Sequence, residues 1–289
     1  MPGTRFVPIV LALSAVALFA GCGSDSSDEE STGATTTVTA ADCTPESLGT
    51  FKAGVLTVGT DSPAYPPYFE DDDPTNGKGF ESAVAYAIAD RLGFGASQVE
   101  WTTVPFNASY APGPKKFDFD VNQISITPPR EKVVDFSDPY YNANQAVLVA
   151  KGSDLADINS LDELKDAKIG VQIGTTSLDD VNAEIDPSTE PRVYDNSNDV
   201  VTALKVGQVD AIVVDLPTAI YLRDAELPGS SVAGQFAGSE GDQWGALLQK
   251  ESELTPCINF ALQNMVEDGT LDEITKQWMS DAADAPELN

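Results

Sequence analysis

Histidine is absent from all 289 residues, which excludes His-based catalytic triads and His metal sites. Basic residues are scarce: 16 Lys and Arg stand against 46 Asp and Glu, a net charge of −30. So acidic a chain repels phosphate backbones, and nucleic acid is excluded as a partner. The charge says less about a small ligand, because exposed charges are screened beyond about 8 Å at physiological salt. Cysteine is confined to Cys22, Cys43 and Cys257, too few and too dispersed for a zinc cluster. The acidic run EDDDPTNGKGFE lacks EF-hand spacing, so no metal is expected. Long hydrophobic runs are missing beyond residue 20, and none there competes for membrane insertion.

The N-terminus reads differently. Arg5 precedes an apolar run over 6–20 that Pro8 interrupts, too short for a spanning helix of about 20 residues and consistent with a signal peptide over 1–21. The sequence LFAGC resembles a bacterial lipobox. That implies cleavage before Cys22, a lipid on its sulfur and anchorage on the outer face of the bacterial cytoplasmic membrane; the alternative is a plain secretory signal. Residues 22–41 are rich in Ser, Thr, Gly and acid, with too few large apolar side chains to pack, and are expected to be a flexible tether. At about 5 to 6 Å times the square root of its length, such a tether reaches roughly 24 Å. An extracytoplasmic location permits Cys43 and Cys257 to form a disulfide, with two buried free thiols as the alternative.

From residue 55 onward, short apolar runs alternate with helical stretches, which argues for an α/β fold with mostly parallel sheets. Strands are expected over 55–60, 99–104, 121–126, 146–150, 169–173 and 209–214. Val84, Ala85, Ile88, Ala89 and Leu92 recur at helical spacing ahead of Gly93, which predicts a helix over 81–92. Ser160 with Glu163, and Thr270 with Glu273, form capping-box patterns that predict two more helix starts. A helix over 199–206 is expected to end at Gly207, and another to begin near Thr176.

The segment DFDVNQISITPPREKVVDFSDPYY, 118–141, carries the most information. Thr127 can cap a helix whose first turn tolerates Pro128 and Pro129, which places Arg130 in that turn behind a short β-run. An arginine there can hold a carboxylate through two parallel hydrogen bonds; the alternative is an ordinary surface arginine paired with Glu131 or Asp135. The joined motifs S-x-T-x-x-R and DFSDPYY resemble the family 3 extracellular solute-binding proteins, the polar amino acid receptors of bacterial ABC importers. The resemblance spans about 54–278. It implies a two-lobe periplasmic-binding-protein-like (type II) fold, each lobe a mostly parallel sheet flanked by helices. The chain would cross twice, with lobe 1 over 42–145 plus 244–289 and lobe 2 over 146–243.

Ligands of open α/β sheets sit beyond the carboxyl ends of strands, and four candidate groups occupy such positions. They are Asp61, the stretch Ser125 to Arg130, the GTTS segment at 174–177, and Asp215. The resemblance implies that Arg130 clamps an α-carboxylate, that Ser125 and Thr176 add hydrogen bonds, and that Asp215 neutralises an α-ammonium group. A helix cap is the alternative for Thr176 and for Asp215. Tyr65 in SPAYPPY and Phe106 in VPFNASY resemble the family's flanking aromatics, with core packing as the alternative. Asp61 and Glu81 match positions that face a cationic side chain in receptors for basic amino acids. Asn122 and Gln123 depart from the small residues usual before the serine anchor, so Gln123 joins the candidate ligand contacts. NASYAPGPKK replaces an apolar helix and should be a loop.

The resemblance implies no catalytic residue and no cofactor. It implies a polar amino acid as ligand, with a lean toward basic ones through Asp61 and Glu81, and ABC permease and ATPase subunits encoded elsewhere as partners. A secreted dehydratase-like enzyme on the same scaffold, a sensory lipoprotein, and a receptor for a non-amino-acid solute are the competing readings, because fold does not fix function.

Overall fold

A computed structural model describes residues 39–238, 241–279 and 285–289. The expected signal peptide, Cys22 and most of the tether lie outside the described residues. The chain lays down β1 (Leu56–Thr60), β2 (Val99–Thr103), β3 (Phe119–Asp120) and β4 (Val134–Ala143) in one sheet. It continues through β5 (Gln145–Val149), β6 (Ile169–Gln172), β7 (Arg192–Tyr194), β8 (Ala211–Asp215) and β9 (Ser231–Phe236) in a second. It then returns to the first with β10 (Asp242–Gln249). The sheet orders are β2-β1-β3-β10-β4 and β7-β6-β8-β5-β9.

Both sheets are mixed, which corrects the expectation of mostly parallel strands. In each, two pairings are parallel, β1 with β2 and β3, and β6 with β7 and β8. The other two are antiparallel and involve the strands through which the chain changes sheet, β4 with β10 and β5 with β9, together with β3–β10 and β5–β8. Parallel neighbours need a crossover connection, whereas a strand entering directly from the other sheet does not. Every residue of β5 is buried. Val147 and Val149 pack into one cluster and Ala146 and Leu148 into another on the opposite face, which is why its sequence is apolar without alternation.

The helices are α1 (Phe80–Arg91), α2 (Phe106–Ser109), α3 (Pro128–Glu131), α4 (Thr176–Asp180), α5 (Ser197–Lys205), α6 (Leu216–Tyr221), α7 (Thr255–Glu267) and α8 (Thr270–Met279). Gly79, ahead of α1, has φ +95°, and a Cβ there would lie 2.4 Å from the Tyr68 carbonyl oxygen. The close approach sets where Phe80 and Glu81 enter the core. Three local expectations differ from the structure. The Ser160 pattern yields a 3-10 turn, Leu161–Leu164, without a side-chain cap, since Glu163 accepts the Asn159 N–H at 2.9 Å. The expected strand over 121–126 is absent: Gln123 has φ +50° and its N–H turns aside to the Glu81 carboxylate at 2.7 Å. Within NASYAPGPKK, α2 adds one short turn before the chain becomes irregular.

Two features tie the ends down. Cys43 and Cys257 form a disulfide, Cα–Cα 5.4 Å, that fastens the start of the described chain to α7 across 214 residues. Replacing both with serine is expected to cost about 2 to 4 kcal/mol, read as a lower urea midpoint; an unchanged midpoint would show that the bond contributes nothing. The C-terminal residues depart from the expected grouping of 244–289 with the first sheet. Leu288 is buried in a cluster of the second, its N–H bonds the Gln235 carbonyl at 2.8 Å, and the Pro286 carbonyl accepts the Gln235 N–H at 2.7 Å. β9 is an edge strand, and this tail covers its open backbone groups.

Candidate functional site

The carboxyl ends of β1, β6 and β8 converge on a cavity of about 540 Å³. Asp61, Tyr65, Phe106, Gln123, Ser125, Arg130, Thr176 and Asp215 all line it. Residues of the first sheet's loops and of the second sheet's loops thus face each other across one space.

Arg130 is held in place by its own turn. Thr127 caps α3, accepting the Arg130 N–H at 3.4 Å, and the guanidinium then points inward, leaving the residue 8% exposed. One terminal nitrogen donates to the Ser125 carbonyl at 2.6 Å and the other to the Gly174 carbonyl, which follows β6, at 2.9 Å. The Phe106 and Tyr110 rings flank it at 5.6 and 4.9 Å. A buried guanidinium has five N–H donors, and two are used this way. Phe106, expected beside a ligand, spends its ring face on Arg130. Gly174 has φ +75°, and a Cβ there would meet the Tyr110 hydroxyl at 2.4 Å, so only glycine permits this approach.

Asp215 ends β8 and precedes α6, yet its side chain makes no cap hydrogen bond. Its carboxylate accepts the Gln145 amide at 2.9 Å, and the same amide donates to Asp242 at 2.7 Å. The Gln145 oxygen accepts from the Ser177 hydroxyl at 2.7 Å, and the Ser125 hydroxyl lies 3.1 Å from Asp242 and 3.3 Å from that of Thr176. Burial pushes the Asp215 carboxyl well above its ordinary range, and the Asp242 carboxylate adds to this. An uncompensated carboxylate in such a place favours a cation beside it. The cap of α4 is Thr175, whose hydroxyl accepts the Leu178 N–H, which frees the Thr176 hydroxyl to face Ser125.

At the far end, Tyr65 donates to Asn198 and the Tyr68 hydroxyl lies 2.8 Å from that of Thr218, so both bonds join the two sides. Asp61 accepts the Ser62 and Phe106 N–H groups at 2.7 and 3.0 Å, which orders its loop. Glu81 is the correction among the candidates. It is fully buried and does not line the cavity; instead its carboxylate accepts the Gln123 N–H, the Gln123 amide and the Tyr140 hydroxyl, the last at 2.5 Å. Burial pushes it up to about 7. The sequence reading missed Gln145, Asn198, Thr218 and Asp242, and had Ser177 only as the last residue of the GTTS segment. The hydrophilic run Asp195–Asp199 after β7 was the available signal for Asn198; Gln145 had none, being one polar residue at the edge of an apolar strand. Among the described residues no group of three or more acidic, Cys or His side chains is placed to hold a metal, and no helix is long and apolar enough to cross a membrane.

Residues 56–281 match the bacterial extracellular solute-binding proteins, family 3. The chain belongs to this family. Among its relatives, the L-cystine-binding protein TcyJ of Escherichia coli (strain K12) is 31% identical over 227 residues, covering 78% of this chain and 82% of that protein. An ancestral arginine-binding protein bound to glutamine superposes with a TM-score of 0.67 at 36% identity, covering 78% of this chain and 98% of the other. The ancestral amino acid-binding protein AncCDT-1, a precursor of cyclohexadienyl dehydratase, superposes at 0.63 with 34% identity, covering 78% and 94%. Family membership accounts for the shared two-sheet architecture around a central cavity. Within that frame, Asn122 and Gln123 place two carboxamide residues on the cavity wall.

Proposed function

We propose that this member of the family is a receptor that closes on a polar amino acid and delivers it to an ABC importer. The observation that carries the reading is the placement of one guanidinium, Arg130, and one carboxylate, Asp215, on the same cavity from different sheets. Arg130 holds the α-carboxylate with help from Ser125 and Thr176, and Asp215 neutralises the α-ammonium group. A zwitterion satisfies both only when the two sides meet, which couples binding to closure. The lobes in this reading are 42–145 with 244–279, and 146–243 with the C-terminal tail.

The side chain of the ligand extends toward Asp61, Tyr65, Phe106 and Gln123. Among the described residues four carboxylates, Asp61, Asp195, Asp199 and Asp215, line the cavity against the one cation Arg130, which supports a lean toward basic or amide side chains over acidic ones. The amino acids named for the relatives, cystine, arginine and glutamine, support the ligand class. The permease and ATPase are separate chains, and a lipid on Cys22 tethers the receptor to the outer face of the cytoplasmic membrane. The chain needs no cofactor and catalyses nothing.

Calorimetric titration of the purified protein against the common amino acids tests this. One polar amino acid is expected to saturate a single site, to be recovered unchanged, and at about 100-fold excess over Kd to stabilise by about 2.7 kcal/mol. Sustained heat with consumption of the compound would replace the receptor reading with an enzymatic one. Silence from every amino acid would show that the two charged anchors serve another solute.

A further inference from the structure

Gln123 has an unusual setting. Its φ of +50° is one that non-glycine residues seldom adopt, and its backbone N–H and side-chain Nε2 both donate to the single Glu81 carboxylate. Glu81 is itself fully buried and fixed from the other side by the Tyr140 hydroxyl. Above about pH 7, where Glu81 is ionised, its carboxylate accepts and cannot donate, so it dictates which end of the carboxamide faces it. The Gln123 nitrogen is turned inward and the carbonyl oxygen outward. Among the described residues no donor reaches that oxygen, and it is not one of the buried atoms that lack a partner, while Gln123 lines the cavity.

We infer that Glu81 is a positioning residue that locks the Gln123 carboxamide with its oxygen toward the cavity, making Gln123 an acceptor that selects ligand side chains ending in an N–H donor. This rests on the amino acid reading above and adds the chemistry of the side-chain end. A primary amide, a guanidinium or an ammonium group meets this oxygen with a proton. A carboxylate meets it with a lone pair and is rejected, and the nearby Asp61 works in the same direction. The role differs from the one expected of Glu81, which acts through Gln123 and has no surface on the cavity.

Glutamine and glutamate make the probe pair, since they share shape and α-groups and differ at the terminal NH2. Their affinity ratio is measured by calorimetry at pH 8, where Glu81 is ionised, on the wild-type protein, on Glu81→Gln and on Gln123→Met. Wild type is expected to favour glutamine. Gln123→Met removes the acceptor and Glu81→Gln frees the carboxamide to turn, so each is expected to lower the glutamine-to-glutamate ratio by about tenfold, the worth of one hydrogen bond of this kind. A ratio unchanged in both variants, with both amino acids still bound, would overturn the inference while leaving the receptor reading intact. Failure of wild type to bind any amino acid would instead overturn the receptor reading on which it rests. Gln123→Met leaves the buried glutamate and its tyrosine contact in place, so the test stands even if Glu81→Gln folds poorly.

Discussion

Arg130→Ala is expected to weaken amino acid binding by more than 100-fold, the largest effect of any single substitution in the cavity. The side chain is 8% exposed, so a ligand carboxylate that meets it is taken out of water and depends on it. Removing one partner of a buried charge pair costs about 3 to 5 kcal/mol because the other charge is left uncompensated, and each 1.4 kcal/mol is tenfold in affinity. The substitution also deletes the bond to the Ser125 carbonyl and the bond to the Gly174 carbonyl, the second of which joins the two sides. Arg130→Lys restores a charge but not the planar fork that engages two carbonyls and a carboxylate together, so it is expected to recover a minority of the lost affinity. Calorimetry on both variants, beside a melting curve without ligand, checks this. An alanine variant that binds within a few-fold of wild type would remove Arg130 from the site.

Much of this arrangement was legible because it depends on local rules. The periodicity of Val84, Ala85, Ile88 and Ala89 marked α1, all four being buried, and Thr127 with two prolines marked the turn that aims Arg130. Strand ends marked the cavity, because β1, β6 and β8 run the same way within their sheets. Strand direction was not legible: β5 is apolar on both faces whether its neighbours are parallel or antiparallel, so periodicity could not show that each sheet is mixed. Nor was the fate of Gln123. Its alternating neighbours read as a strand over 121–126, and only the buried Glu81, 42 residues earlier, diverts its N–H. Glu81 looked like a contact because it matches a position that faces a cationic side chain in receptors for basic amino acids; its burial is set by Gly79 and by Tyr140, which no local pattern reports.

Without ligand, the protein is expected to become more stable as pH falls from about 8 toward 5. Burial raises Glu81 from an ordinary value of 4.5 to about 7. Between those values the folded chain holds a proton that the unfolded chain has released, so this contribution is complete below about 4.5 and is lost as pH rises through about 7. It amounts to about 3 kcal/mol at 1.36 kcal/mol per pH unit. Asp215 and Asp120 are raised by burial as well, with the same sign, and both Asp120 oxygens are buried without a hydrogen-bond partner. The carboxylates that are lowered, such as Asp42 and Asp268, sit at the surface and are lowered by hydrogen bonds, so their opposing contributions are lost only below about pH 4. Reduced self-repulsion of a chain carrying −30 also favours acid, and variants separate the two causes. In melting curves from pH 8 to 5, Glu81→Gln is expected to flatten the rise, and Asp120→Asn to raise the melting temperature at pH 8 by removing the cost of keeping a buried carboxyl protonated. A wild-type melting temperature that falls steadily over this range would show that these acids are ionised in the folded state. The same logic ties stability to binding: an ammonium group beside Asp215 favours its charged form, so binding releases a proton and affinity is expected to fall as the pH is lowered.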